Sequence, residues 1–228
     1  MNSVQRSRLR ARAWPLGARA TALLAAACVV VGAAGGLALH GPGARRAGAP
    51  HVAFPPSGGL RGDAVWPAGR RPAPAFTLRD QSGRTVSLSD QRGRAVLLAF
   101  MDSHCKLVCT LEGPSLSDVQ RRVGATRMTL LVVSVNPWED TAASSIEAAT
   151  RWGLRRDWRW LRGSPGQLQP IWRAYGIEVA RTAGDVGHST AIYLIDARGY
   201  ERAGFNYPFP TGDVVRDLRG GARTSAGS

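Results

Sequence analysis

AVLLAFM-DSH-CKLVC, residues 95–109, sets a seven-residue apolar run almost directly against two cysteines with three residues between them. An unbroken apolar run of that length reads as a central strand covered on both faces, because a half-exposed strand would alternate. In an α/β sheet the loop beyond the carboxyl end of such a strand is where functional sites form. Two similar runs follow, TLLVVSV at 129–135 and AIYLI at 191–195.

Helical signals fill the gaps between these runs. Leu111, Leu116, Val119 and Val123 fit one face of a first helix. A second spans 141–152, with Asp140 as its expected N-cap and Gly153 just beyond its end. Ser164-Pro165 opens a third with a cap residue and a first-turn proline, and Leu168, Ile171, Trp172 and Tyr175 form its apolar face before Gly176. Upstream, short alternating runs at 76–78 and 86–88 flank Asp80-Gln81-Ser82-Gly83, a hairpin signal. Strands alternating with helices predict an α/β domain with a mixed, mostly parallel sheet, helices on both faces and an N-terminal β-hairpin.

The chain has 228 residues, 44% hydrophobic and 20% charged, which excludes wholesale disorder. Its net charge of +14 is unevenly spread: residues 1–75 hold ten arginines and one acid, Asp63. Charge concentrated at one end, outside the expected core, argues against nucleic-acid binding. Arg6, Arg8, Arg10, Arg12 and Arg19 precede an uncharged, mostly apolar run at 20–40. Twenty-one residues of helix span about 30 Å, one bilayer core, and the upstream arginines favour a cytoplasmic amino terminus. The expectation is a basic cytoplasmic segment at 1–19, a single-pass anchor at 20–40 in the cell membrane, and an extracytoplasmic domain. A cleaved signal peptide and a lipidated Cys28 are the alternatives. Residues 41–75 contain seven Gly and seven Pro, so 41–73 reads as a linker with an end-to-end distance of about 30–35 Å. The domain is expected at 74–219 and a flexible tail at 220–228.

Three cysteines are too few for a disulfide framework. If a helix begins at Cys105, its sulfur and that of Cys109 share a face and can meet one small object. A helix amino terminus also favours thiolate, the form that binds metal or attacks a disulfide. The spacing departs by one residue from Cys-x-x-Cys, and Asp102 stands where a peroxidatic cysteine would have threonine or serine three residues ahead. A plain structural disulfide or two buried thiols are the other readings. His188, in Gly187-His188-Ser189, precedes the run at 191–195 and completes a candidate set of two sulfurs and one imidazole. His104 reads as an exposed neighbour, and Trp152, Trp158, Trp160 and Trp172 as core.

Phe76-Thr-Leu-Arg-Asp80-Gln-Ser-Gly83, Val86-Ser-Leu-Ser-Asp90-Gln-Arg-Gly93 and Cys105-x-x-x-Cys109 resemble the SCO/SenC family of copper-binding thioredoxin-fold proteins. The likeness runs on through Ser134-Val135-Asn136-Pro137, Gly163-Ser164-Pro165 and Trp172-Arg-Ala-Tyr175-Gly176 to His188-Ser189 and Tyr193-Leu194-Ile195-Asp196. It covers about residues 74–218. The resemblance implies a thioredoxin-like fold and a copper chaperone that delivers to the binuclear copper site of the copper-bearing subunit of cytochrome c oxidase. It implies copper on Cys105, Cys109 and His188, with Cys105 and Cys109 also a redox pair. Soft thiolates select Cu(I), and imidazole suits Cu(II) as well. An extracytoplasmic thiol–disulfide oxidoreductase and a copper or redox sensor are the alternative functions. Lys106 and Thr110 stand where the family often has proline, and Asn136 where it has an acid. Asp102 and Glu139 are the acids that could compensate for that lost charge.

Overall fold

The computed structural model describes residues 59–124, 128–155 and 157–221. The chain divides into two units, Met1–Pro50 and His51–Ser228. The anchor expected at 20–40 lies outside the described residues, among which no helix is long and apolar enough to cross a membrane.

The run at 95–101 forms strand β4, after the short strands β1 (Ala64–Val65), β2 (Thr77–Arg79) and β3 (Thr85–Ser87). Helix α1 (Val108–Val123) leads to β5 (Met128–Ser134), α2 (Ala142–Arg151), β6 (Trp158–Leu161) and α3 (Pro165–Ala174). The hairpin β7 (Val179–Thr182) and β8 (Asp185–His188) then precedes β9 (Ala191–Ile195), β10 (Glu201–Asn206) and α4 (Thr211–Gly221). Six strands make one sheet in the order β1-β10-β9-β4-β5-β6, while β2-β3 and β7-β8 are separate two-stranded ribbons.

Every residue of β4 is buried, and the pleat divides them by parity. Ala95, Leu97, Ala99 and Met101 join the core beneath α1, α2 and α4, with Leu116, Val119, Ala148 and Val214. Val96, Leu98 and Phe100 join the opposite core beneath α3, with Leu168, Ile171, Trp172 and Tyr175, and with Leu78 and Val86 of the hairpin. Each fully buried side chain of this size contributes roughly 1.5–3 kcal/mol. Trp152 packs so tightly on α1 that a Cβ at Gly113 would come within 2.4 Å of the indole. That contact seats the helix carrying Cys109.

The sheet is mixed rather than mostly parallel. β4-β5 and β5-β6 are parallel, but β4-β9, β9-β10 and β10-β1 are antiparallel. An apolar run specifies burial on both faces and carries no direction, so the antiparallel entry of β9 could not be read from it. The folded unit also starts upstream of residue 74. β1 pairs with β10, Arg71 forms an ion pair with the buried Glu201, and Arg61 N–H donates to Asp217. At the other end α4 runs through Gly221, past the boundary expected at 219.

Two helix details differ from expectation. Leu111 lies 61% exposed, off the buried face of Leu116, Val119 and Val123, because five residues do not complete a helical repeat. The α2 cap is Thr141, whose hydroxyl accepts the Ser144 N–H, while Asp140 turns into the core. Trp152, Trp160 and Trp172 are buried core and Trp158 is half-buried, as expected.

Candidate metal centre

β4 ends at Met101, and Asp102-Ser103-His104 turns the chain so that Cys105 leaves the mouth of the sheet. This turn is clamped residue by residue. The Asp102 carboxylate accepts the His104 N–H at 2.8 Å. Ser103 donates both its N–H and its hydroxyl to Asp140 Oδ1, and Arg151 donates to the Ser103 carbonyl. The His104 ring donates Nε2–H to the Glu139 carbonyl at 3.1 Å, and its side chain is exposed. Asp140 Oδ2 in turn accepts from the Ser134 hydroxyl and from Trp160 Nε1. A buried carboxylate with this many donors joins the turn to β5 and β6. Burial pushes the Asp140 carboxyl above its ordinary range against the pull of those hydrogen bonds.

Cys105 stands three residues before α1 rather than within it, so the two sulfurs do not simply share a helix face. The helix has no side-chain oxygen cap at Leu107. The Cys105 sulfur accepts the Cys109 N–H at 3.4 Å, doing for an orphan donor what a capping oxygen does elsewhere. Cys105 is half-buried and Cys109 fully buried, and both are free thiols. A hydrogen bond from the Cys109 side chain, with backbone N–H groups of Cys109 and Leu107, lowers the Cys105 thiol to about 6 against the opposing effect of burial. The same bond, with burial, holds the proton on Cys109 and pushes that thiol up.

His188 ends β8, 79 residues beyond Cys109, yet its Nε2 lies 3.6 Å from the Cys109 sulfur. Its Nδ1 faces the Ser189 carbonyl at 2.9 Å, and a carbonyl can only accept, so Nδ1 carries the proton. That leaves the Nε2 lone pair directed at the sulfur. Ser189 also donates its N–H to the Glu178 carbonyl, while its hydroxyl accepts the Glu178 N–H. The second residue of the His-Ser pair therefore closes the ribbon's base and sets the tautomer of the first.

Cys109 thus touches both of the other side chains named from the sequence, Cys105 through its N–H and His188 through its sulfur. Two ligands each about 2.0–2.3 Å from one ion lie about 3.6 Å apart, the span seen here. Among the described residues no group of three or more His, Cys, Asp or Glu side chains is placed to hold a metal ion. Beside the centre lies an open cleft of about 270 Å³, walled by Lys106, Leu107, Val108 and Val186. Leu107, the N-cap of α1, and Leu111 in its first turn are 72% and 61% exposed.

Sequence reading missed Glu112, one turn beyond Cys109. It is fully buried, and among the described residues neither carboxyl oxygen has a hydrogen-bond partner. Burial, then the nearby Cys105 charge, pushes it up to about 8. Its only sequence signal is an acid on the apolar side of a helix. Asp140 and Ser189 were missed as clamps because both residue types are ordinary caps and loop residues.

The SCO1/SenC family model matches residues 68–222, and the chain belongs to that family. It is 31% identical over 134 residues to the mitochondrial SCO2 homolog of Bos taurus, covering 54% of this chain and 50% of that protein. The match therefore spans half the length of that relative. Copper-bound ScoI of Bradyrhizobium japonicum is 26% identical, with a TM-score of 0.57 over 64% of this chain and 97% of that one. BsSco, described as a member of the Sco family of cytochrome c oxidase assembly proteins, has the same fold at a TM-score of 0.61, over 69% of this chain and 96% of that one at 22% identity.

Proposed function

We propose that this protein is a copper chaperone: it takes up Cu(I) on Cys105, Cys109 and His188 and delivers it to the binuclear copper site of the copper-bearing subunit of cytochrome c oxidase. The observation that carries this reading is the 3.6 Å approach of the Cys109 sulfur to an imidazole nitrogen whose lone pair is free. Two soft sulfurs and one nitrogen suit Cu(I), and three ligands leave room for a donor from the acceptor. Copper bound to a related ScoI supports the same choice of cargo. Loading needs both sulfurs reduced and releases the proton that Cys109 holds. Cys105, the more acidic and exposed sulfur, meets the incoming ion first, and Cys109 and His188 close behind it. In transfer, a ligand from the acceptor displaces one of the three while the exposed Leu107 and Leu111 face the partner. The five arginines and apolar run at 6–40 support a membrane-anchored, extracytoplasmic placement.

A second reading, a thiol–disulfide oxidoreductase, is favoured by the inequality of the two thiols. The Cys105 thiolate would attack a substrate disulfide and expel one thiolate. Cys109 would then resolve the mixed disulfide, releasing the second substrate thiol and leaving a Cys105–Cys109 disulfide that an external dithiol, itself oxidised to a disulfide, returns to two thiols.

Anaerobic Cu(I) titration of the reduced full chain, against a competing chelator, tests both readings. The chaperone predicts one tightly bound ion. Binding should fall about 1,000-fold or more in Cys105→Ser or Cys109→Ser, and about 10- to 100-fold in His188→Ala. No Cu(I) binding, with disulfide turnover unchanged in His188→Ala, would establish the oxidoreductase instead.

A further inference from the structure

Asn136 lies two residues beyond β5 and is 2% exposed. Its Nδ2 donates to Asp102 Oδ1 at 3.2 Å and to Glu139 Oε2 at 3.4 Å. Both partners are carboxylate oxygens, which only accept, so the amide can face them in one orientation alone. That orientation leaves Asn136 Oδ1 buried without a hydrogen-bond partner among the described residues. A buried acceptor left unpaired is a penalty, and the side chain keeps this orientation in spite of it because both N–H groups meet carboxylate oxygens.

The Asp102 oxygen that Asn136 holds is the one that accepts the His104 N–H, and the Asp102 carbonyl accepts the Cys105 N–H at 3.4 Å. Fixing Asp102 therefore fixes the backbone that delivers the Cys105 sulfur. Around this point stand Asp102 from the end of β4, Glu139 and the ring of His104. Arg181 and Asp185 of the β7-β8 ribbon line the same small cleft, and Asp140 is engaged elsewhere by Ser103, Ser134 and Trp160.

We propose that Asn136 is the positioning residue of Cys105: a neutral, two-pronged donor that lets the carboxylates of Asp102 and Glu139 meet at one point and locks the 102–104 turn. An acid in its place would put a third carboxylate on the same two oxygens and could donate only while protonated. The role stands on the turn's geometry, and its effect on metal rests on the copper-carrier reading.

The test is amide exchange of the reduced, metal-free full chain, comparing Asn136→Leu and Asn136→Asp with wild type at pH 5.5 and pH 8. At pH 8 the His104 and Cys105 amides should exchange at least about tenfold faster in both variants. The neighbouring Ser103 amide, held by Asp140 instead, should stay within about twofold. At pH 5.5 Asn136→Asp, which when protonated carries one O–H donor in place of two N–H donors, should regain part of the protection and Asn136→Leu none, a recovery by protons that general damage to the fold does not produce. Unchanged His104 and Cys105 exchange, equal loosening of Ser103, or no pH dependence in Asn136→Asp would each overturn the proposal. Cu(I) affinity of the same proteins separates the two claims. A tenfold loss in Asn136→Leu is expected, whereas a wild type that binds no copper removes the carrier reading and leaves the exchange result standing.

Discussion

The sulfurs and the imidazole are held by regions of very different construction. The 102–104 turn grows from a strand buried at every residue and is fastened at each residue by Asp140, Asn136, Glu139 and Arg151. His188 sits at the end of a two-stranded ribbon outside the main sheet, whose strand β7 is largely exposed and whose buried contribution is Val186. A two-stranded ribbon with few buried contacts opens at lower free energy than a central strand. The difference teaches a division of labour: the core fixes the position of the thiols, and the ribbon leaves the imidazole freer to move.

The hardest blow to this contrast is Asp140→Ala. It strands the donors of Ser103, Ser134 and Trp160 and should cost about 3–5 kcal/mol in chemical denaturation. A cost below about 1 kcal/mol would mean the front of the site is not clamped as described.

Glu112→Gln sharpens the same side through pH. The native carboxyl is raised to about 8 from an ordinary 4.5, so below pH 4.5 both states keep the proton and the group has no effect. Between 4.5 and 8 the unfolded chain releases a proton that the fold retains, so wild-type stability falls as pH rises, by up to about 5 kcal/mol above pH 8. The Gln variant should match wild type near pH 4.5 and exceed it by several kcal/mol at pH 8. Parallel denaturation curves at the two pH values would refute the buried, unpartnered carboxyl.

Ser189→Ala is the smallest change and addresses the ribbon. Losing the hydroxyl that accepts the Glu178 N–H should cost about 1 kcal/mol. Cu(I) affinity should fall several-fold while alkylation of Cys105 is unaffected. Equal effects on both would erase the separation between the two halves of the site.

Much of this was legible in advance. The run at 95–101 predicted a central strand, Ser164-Pro165 a helix start, and Asp80 to Gly83 a hairpin, because each rests on local geometry that a few residues specify. Cys105, Cys109 and His188 were legible as residue types that bind soft metals. The direction of β9 was not, nor was the β7-β8 ribbon, whose short exposed strands carry no apolar pattern. The roles of Asp140, Asn136 and Glu112 were equally hidden, since a polar residue in the sequence does not say whether it meets water or a partner.

From its sequence alone this protein is an α/β domain with a cysteine pair at the mouth of its central strand and a histidine far downstream. Apolar periodicity and residue chemistry are local properties and survive without a fold. That the histidine's free nitrogen faces the inner sulfur, and that a neutral amide sits between two carboxylates behind the outer one, was settled by tertiary packing. Those facts depend on distances between residues 34 and 79 positions apart, which chain closure around two cores fixes and no local pattern encodes.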